Sequence, residues 1–205
     1  DGLRERGIET LVDGAHGLGM ISLDLDGLGA AYYTSNAHKW LCTPKGSAVL
    51  HVRKDLQDGI KPLHLSHGIG WKGPAYDSPF RMAFDWTGTD DPTPWLCIPE
   101  ALRFLSGLVD GGLEALMARN RDLALAGRRL LCDRLGLAAP APEAMIASLA
   151  AIELPEDDYQ PTQPDDFGPL YHWLATSRLI QVPIFPFPAP PRRILRISAQ
   201  YYNDL

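Results

Sequence analysis

The sequence predicts an α/β fold: an open, mostly parallel sheet over residues 1–110, followed by a smaller α+β unit over 111–205. Three observations predict it. Short apolar runs that end in Gly or polar residues recur about 15–20 residues apart in the first third, as in an open α/β sheet. Apolar residues at 113, 116, 117, 123, 124, 130, 131 and 135 keep the three-and-four spacing of one long amphipathic helix. Beyond it, short strand-like runs surround a single helical stretch.

In chain order, Leu3 to Gly7 reads as the end of a helix stopped by Gly7. Ile8–Asp13, Ala30–Thr34 and Ser47–Val52 read as strands. Residues 59–95 are rich in Gly, Pro, Trp and His with little periodicity, which marks a candidate functional loop region. Pro99–Leu108 is a short helix, and Leu113–Leu135 a long one ended by Gly136, its arginines (119, 121, 128, 129, 134) forming a solvated face. Met145–Leu154 is a strand, 155–164 an acidic loop with proline, and Asp166–Leu179 a helix. Val182–Phe187 and Ile194–Ser198 are strands around a Pro-rich turn.

With 205 residues and 45% hydrophobic content, the chain can bury a sizeable core. Lys and Arg number 19 against 25 Asp and Glu, a net charge of -6 with no basic run, which argues against nucleic-acid or anionic-membrane partners. Three scattered cysteines make neither a disulfide framework nor a zinc knuckle, so a reducing cytoplasm is expected. No apolar run approaches the ~18 residues of a membrane span. The opening on Asp1 and the ending on Leu205 suggest a piece of a larger protein.

Two segments carry the chemistry: Asp13-Gly-Ala-His16 after one strand, and Ser35-Asn-Ala-His-Lys-Trp40 after the next. A lysine among apolar neighbours can attack a carbonyl. A carboxylate at the same sheet edge suits a protonated pyridine nitrogen, which turns such a ring into an electron sink. On spacing alone the plainer reading outweighs this one: Asp13 caps a helix and Lys39 is a solvated charge. His51, His64 and His67 lack the supporting carboxylate or cysteine pattern of a metal site, and no metal is expected. Cys42 and Cys97 read as small core residues.

Four ordered motifs tip the balance. Leu11-Val-Asp-Gly-Ala-His16, Asn36-Ala-His-Lys-Trp-Leu-Cys-Thr-Pro-Lys-Gly46, Trp86-Thr-Gly-Thr-Asp-Asp-Pro-Thr-Pro-Trp95 and Leu195-Arg-Ile-Ser-Ala-Gln-Tyr-Tyr-Asn203 together resemble the class V aminotransferase family of pyridoxal-phosphate (PLP) enzymes, fold type I, in its isopenicillin N epimerase-like branch. The resemblance implies part of a large PLP-binding domain, with Lys39 as the residue that bonds to the cofactor and later carries the α-proton. It implies Asp13 at the pyridine nitrogen, His16 at the phenolic oxygen, and His38 at the phosphate. Thr89, after Gly88, would reach the phosphate of a neighbouring subunit's cofactor, so a homodimer with shared sites is expected. Arg196 would grip the substrate carboxylate, for which a guanidinium fork is suited. Many relatives have Ser three residues before the lysine; here that position is Asn36, with Ser35 adjacent, and the phosphate role falls to this pair.

The resemblance covers the second half of such enzymes. Their upstream Gly/Ser/Thr phosphate loop and ring-stacking residue precede Asp1, so this chain alone is expected to be inactive, to hold PLP weakly and to self-associate. The implied activity is epimerisation of an amino-acid or peptide-like substrate, with transamination, C–S lysis or a non-catalytic module as alternatives. Desulfurase chemistry needs a cysteine well downstream of the lysine, and none follows Cys132.

Overall fold

The computed structural model describes residues 2–71, 78–161, 163 and 166–205. They form two compact units, one reaching Leu105 and the other Ser106–Leu205.

The first unit opens with a 3-10 turn, Arg4–Arg6, closed by Gly7 at φ 70. The elements that follow are β1 (Leu11–Asp13), α1 (Leu25–Leu28), β2 (Tyr32–Asn36), β3 (Ala48–Val52), α2 (Pro79–Asp85), α3 (Thr93–Leu96) and α4 (Ile98–Ser106). The strands form one sheet in the order β1-β2-β3. β1 runs parallel to β2, pairing Asp13 with Thr34, and β2 runs antiparallel to β3, pairing Asn36 with Ala48. Of the expected mostly parallel sheet, the described residues form one parallel and one antiparallel pairing. Only the parallel pair matters for the site: it brings the carboxyl ends of β1 and β2 to the same edge. Tyr33 and Ser35 alternate into the buried face, where Ala31, Ala37, Trp40, Leu41 and Val52 complete the core.

The stretch 59–95 is more regular than its composition suggests. Ser78 caps α2 by accepting the Arg81 N–H at 3.3 Å, with Pro79 in the first turn. Asp91 accepts the Thr93 N–H at 2.9 Å at the start of α3. The Thr93 donors hold the Asp91 carboxyl below the usual carboxylate range. Residues 72–77 of this region lie outside the described residues, as do Thr162 and Pro164 of the acidic loop.

The second unit holds α5 (Gly112–Leu135), β4 (Leu149–Leu154), α6 (Gly168–Ser177), β5 (Ile184–Pro186) and β6 (Arg193–Ser198). Its antiparallel sheet has the order β4-β6-β5, and α5 packs on β4 and β6. Ala124, Ala150 and Ala199 form a tight contact, with Leu123, Ile146 and Ile197 around it. Small residues there let helix and sheet approach closely. Fully buried Ile152 and Leu116 anchor the layer; each such side chain contributes about 1.5–3 kcal/mol. Gly136, at φ 65, stops α5 as its sequence position predicts.

The arginines of α5 are not a uniformly solvated face. Arg128 is 2% exposed and donates to the Ala141 carbonyl at 2.7 Å, while Arg121 donates to the Ile146 carbonyl at 2.9 Å. Three of these guanidinium donors thus bind carbonyls of the 141–146 connection, those of Ala141, Glu143 and Ile146, while the Arg128 Nε is buried with no partner among the described residues. Glu143 pairs with Arg129, which holds its carboxyl below the usual range. Cys42 also departs from expectation: it is exposed, at φ 57, where it closes the turn after β2.

Candidate active site

Two turns build the site, one after each parallel strand. The first is Asp13-Gly-Ala-His-Gly17. Gly14 N–H donates to the Thr34 carbonyl at 2.9 Å, extending the ladder one residue past β1. The Asp13 carboxylate accepts the Ala15 N–H at 3.0 Å and stays exposed at the strand end. The Gly14 carbonyl accepts from Gly17 N at 2.7 Å, from Ser35 Oγ at 2.6 Å and from Tyr33 Oη at 3.4 Å. β2 thus holds the turn from beneath through two buried hydroxyls.

This packing explains both glycines. A Cβ at Gly17 would strike the Tyr33 hydroxyl, with the Gly14 carbonyl oxygen next at 3.2 Å and the ring carbon Cζ at 3.4 Å, an ordinary contact. A Cβ at Gly14 would strike the hydroxyl and the ring together. Gly17→Ala is therefore expected to destabilise the fold by about 1–3 kcal/mol, the usual cost of overpacking. Tyr33→Phe should return most of that loss for Gly17→Ala and little of it for Gly14→Ala. Urea midpoints of the single and double variants check this; equal relief at both positions would contradict the packing.

The second turn follows β2. Ala37 N–H donates to the Ser47 carbonyl at 3.1 Å and Cys42 N–H to the Lys39 carbonyl at 3.3 Å. His38 Nδ1 lies 3.1 Å from the Ser47 carbonyl. A carbonyl only accepts, so Nδ1 carries the proton and Nε2 is left as the ring atom that can face a ligand.

The two turns meet at His16. Lys39 Nζ lies 3.3 Å from His16 Nε2, and Trp40 Nε1–H donates to His16 Nδ1 at 3.1 Å. Asp13, His16, Asn36, His38 and Lys39 thus share the carboxyl edge of the β1–β2 pair. Ser35 does not join them: it is fully buried, and its hydroxyl also accepts the Leu18 N–H at 3.0 Å. Of the pair Ser35 and Asn36, only Asn36 stands where a ligand could meet it. Thr89 is exposed in the segment before α3, behind Gly88 at φ 144.

In the second unit, Arg196 occupies the middle of β6, where its N–H donates to the Pro183 carbonyl at 3.1 Å. Its neighbours Arg192 and Arg193 bind Glu153 and Asp157. The Arg196 Nε is buried with no hydrogen-bond partner among the described residues. Among those residues, no group of three or more His, Cys, Asp or Glu side chains could hold a metal ion, and no helix is long and apolar enough to cross a membrane. Partial shelter pushes the Cys42 thiol up, although the residue as a whole is exposed; this disfavours the thiolate.

Sequence reasoning missed the Trp40–His16 contact, treating Trp40 as an apolar neighbour of Lys39. A buried indole N–H usually needs an acceptor, and that signal was available.

A carboxylate, an imidazole and a lysine on one parallel strand edge are groups that a pyridoxal-phosphate site needs. A family model, aminotransferase class V, matches residues 2–152, and the chain belongs to that family, whose cofactor is PLP. It is 33% identical over 98% of its length to isopenicillin N epimerase of Streptomyces clavuligerus, covering 50% of that protein. It is 30% identical over 98% of its length to a probable chloroplastic L-cysteine desulfhydrase of Arabidopsis thaliana, covering 42% of it. Among solved structures, the cysteine desulfurase of Thermococcus onnurineus NA1 superposes with a TM-score of 0.71 at 19% identity, covering 98% of this chain and 50% of that one. That likeness establishes the fold. The chain spans about half the length of the curated relatives it matches.

Proposed function

We propose that this chain contributes the lysine-bearing part of a PLP-dependent enzyme that epimerises an amino-acid or peptide-like substrate at its α-carbon. The carrying observation is the shared edge on which Asp13, His16 and Lys39 stand, with Nζ 3.3 Å from the imidazole. The residues present fit the cofactor. Asp13 offers an exposed carboxylate for a pyridinium nitrogen, His16 meets the phenolic oxygen, and His38 Nε2 and the Asn36 amide meet the phosphate. The buried, unpartnered Nε of Arg196 suits a substrate carboxylate.

When bound, PLP supplies an electron-withdrawing ring that stabilises the charge left by α-proton removal. Lys39 Nζ is the nucleophile that would hold the cofactor and, as the free amine, would carry the α-proton. The Asp13 carboxylate keeps the ring nitrogen charged. Arg196 fixes the carboxylate end of the substrate, which orients the α-hydrogen. Thr89 and the backbone after Gly88 reach the phosphate of a second subunit's cofactor, so the working form is a homodimer with shared sites, in a reducing cytoplasm.

Similarity to L-cysteine desulfhydrases supports a second reading, C–S lysis at the same lysine. Amino acids incubated with the PLP-loaded complete enzyme in deuterated water separate the outcomes. Epimerisation gives solvent deuterium at the α-carbon with interconversion of the L and D forms. Sulfide from L-cysteine marks a lyase, and a keto acid marks transamination. A folded protein that shows the visible band of a lysine-bound cofactor yet exchanges no α-proton would overturn the catalytic reading in favour of a non-catalytic module.

A further inference from the structure

His16 is held at both ring nitrogens, and the two contacts differ in what they permit. The Trp40 indole has one polar hydrogen and no acceptor, so its 3.1 Å contact with His16 Nδ1 runs in one direction. Nδ1 must keep its lone pair. A neutral imidazole with a bare Nδ1 carries its hydrogen on Nε2, 3.3 Å from Lys39 Nζ. An ammonium has donors only, so Lys39 competes for the opposite tautomer, but on a flexible stem that can swing aside where the buried indole cannot. His38, two residues before Trp40, is held the opposite way: a carbonyl at 3.1 Å demands a proton on its Nδ1. One short segment, 38–40, therefore sits among two imidazoles in opposite tautomers, each fixed by a partner with a single hydrogen-bonding role.

We infer that Trp40 is a positioning residue which fixes His16 as the Nε2–H tautomer, so that the ring presents a hydrogen-bond donor to the Lys39 side of the site. Trp40 is only 8% exposed, so no bulk water competes for its N–H. It stands beside the lysine in sequence, which ties the orientation of the imidazole to the turn that carries the amine. The catalytic meaning rests on the reading of the site proposed above: a phenolic oxygen is an acceptor, and the ring meets it with N–H rather than with a lone pair. The tautomer itself does not depend on that reading.

The test is made on the full chain, without cofactor, labelled with [15N]histidine; His16→Gln assigns the signals among the six histidines. At pH about 8, above the ordinary imidazole titration, His16 should show a bare Nδ1 and a protonated Nε2, with His38 as the opposite internal reference. Trp40→Phe keeps an aromatic ring and removes the N–H. The His16 tautomer ratio should then fall by about three- to tenfold, the worth of one neutral hydrogen bond. Should Phe leave a gap that unfolds the turn, 3-benzothienylalanine at position 40 replaces the N–H by sulfur at nearly constant shape and gives the same reading. A protonated Nδ1 on His16 in the unsubstituted chain, or a ratio unchanged in the folded variant, overturns the inference. Addition of PLP to the complete enzyme is read separately by visible absorbance. An intact tautomer with no band counts against the cofactor reading, and an intact band with the wrong tautomer counts against Trp40.

Discussion

In the complete enzyme, Lys39→Ala is expected to abolish the visible absorbance that PLP gives on bonding to the protein and to lower turnover by at least about 10²–10⁴-fold, the worth of positioned proton transfer alone. The expectation comes from place as much as from residue type. Lys39 is half-buried in a turn whose backbone is tied to β3 through Ser47, and its amine rests against His16 rather than in solvent. Alanine fits that turn without changing its hydrogen bonds, and His16 keeps its Trp40 donor, so the variant should unfold at a temperature close to that of the parent. Lys45, exposed six residues later, is the control: Lys45→Ala should leave band and turnover unchanged. If Lys39 were a solvated surface charge, the two alanine variants would behave alike. Absorbance titration with PLP and steady-state turnover of both variants distinguish these outcomes.

What the sequence made legible follows from what it repeats. Strand ends at Asp13 and near Asn36, the helix stop at Gly136 and the amphipathic spacing of 113–135 each rest on local patterns, and the structure places elements there. The mixed character of the first sheet was not legible, because whether β3 runs parallel or antiparallel to β2 depends on a connection of only 11 residues, 37–47, which reads simply as a loop. Nor was the burial of Arg128. Its position on the helix reads as polar, and it is the segment beyond Gly136 that brings the Ala141 carbonyl and the Glu143 carboxylate to its terminal nitrogens. Ser35 shows the same limit within the site. A serine beside a lysine motif looks like a phosphate ligand, but alternation along β2 turns its side chain inward, onto the Gly14 carbonyl, while Asn36 keeps the outer position. Site chemistry was readable as residue types in order; which side chain spends its hydrogen bonds on the fold itself was decided by pairing between elements.

Arg196→Lys in the complete enzyme carries the second large expected effect, a fall in kcat/KM of about 2–4 kcal/mol, or roughly 30- to 1,000-fold. Its two neighbours on β6 set the contrast. Arg192 and Arg193 already have carboxylates within the unit, Glu153 and Asp157, so β6 is not short of acidic partners. Arg196 has none among the described residues, and its Nε is buried. A buried guanidinium nitrogen left without an acceptor is costly unless a ligand supplies one. An α-carboxylate is such a ligand, and the planar fork engages both its oxygens where an ammonium would meet it at a single point. Lysine keeps the charge and the aliphatic stem, so the loss should appear in reactions of carboxylate-bearing substrates and shrink to little for the corresponding amides. Steady-state kinetics on an amino acid and its amide, in the parent and in Arg196→Lys, measure this difference directly. An equal effect on both substrates, or none on either, would mean that Arg196 serves β6 and not the substrate.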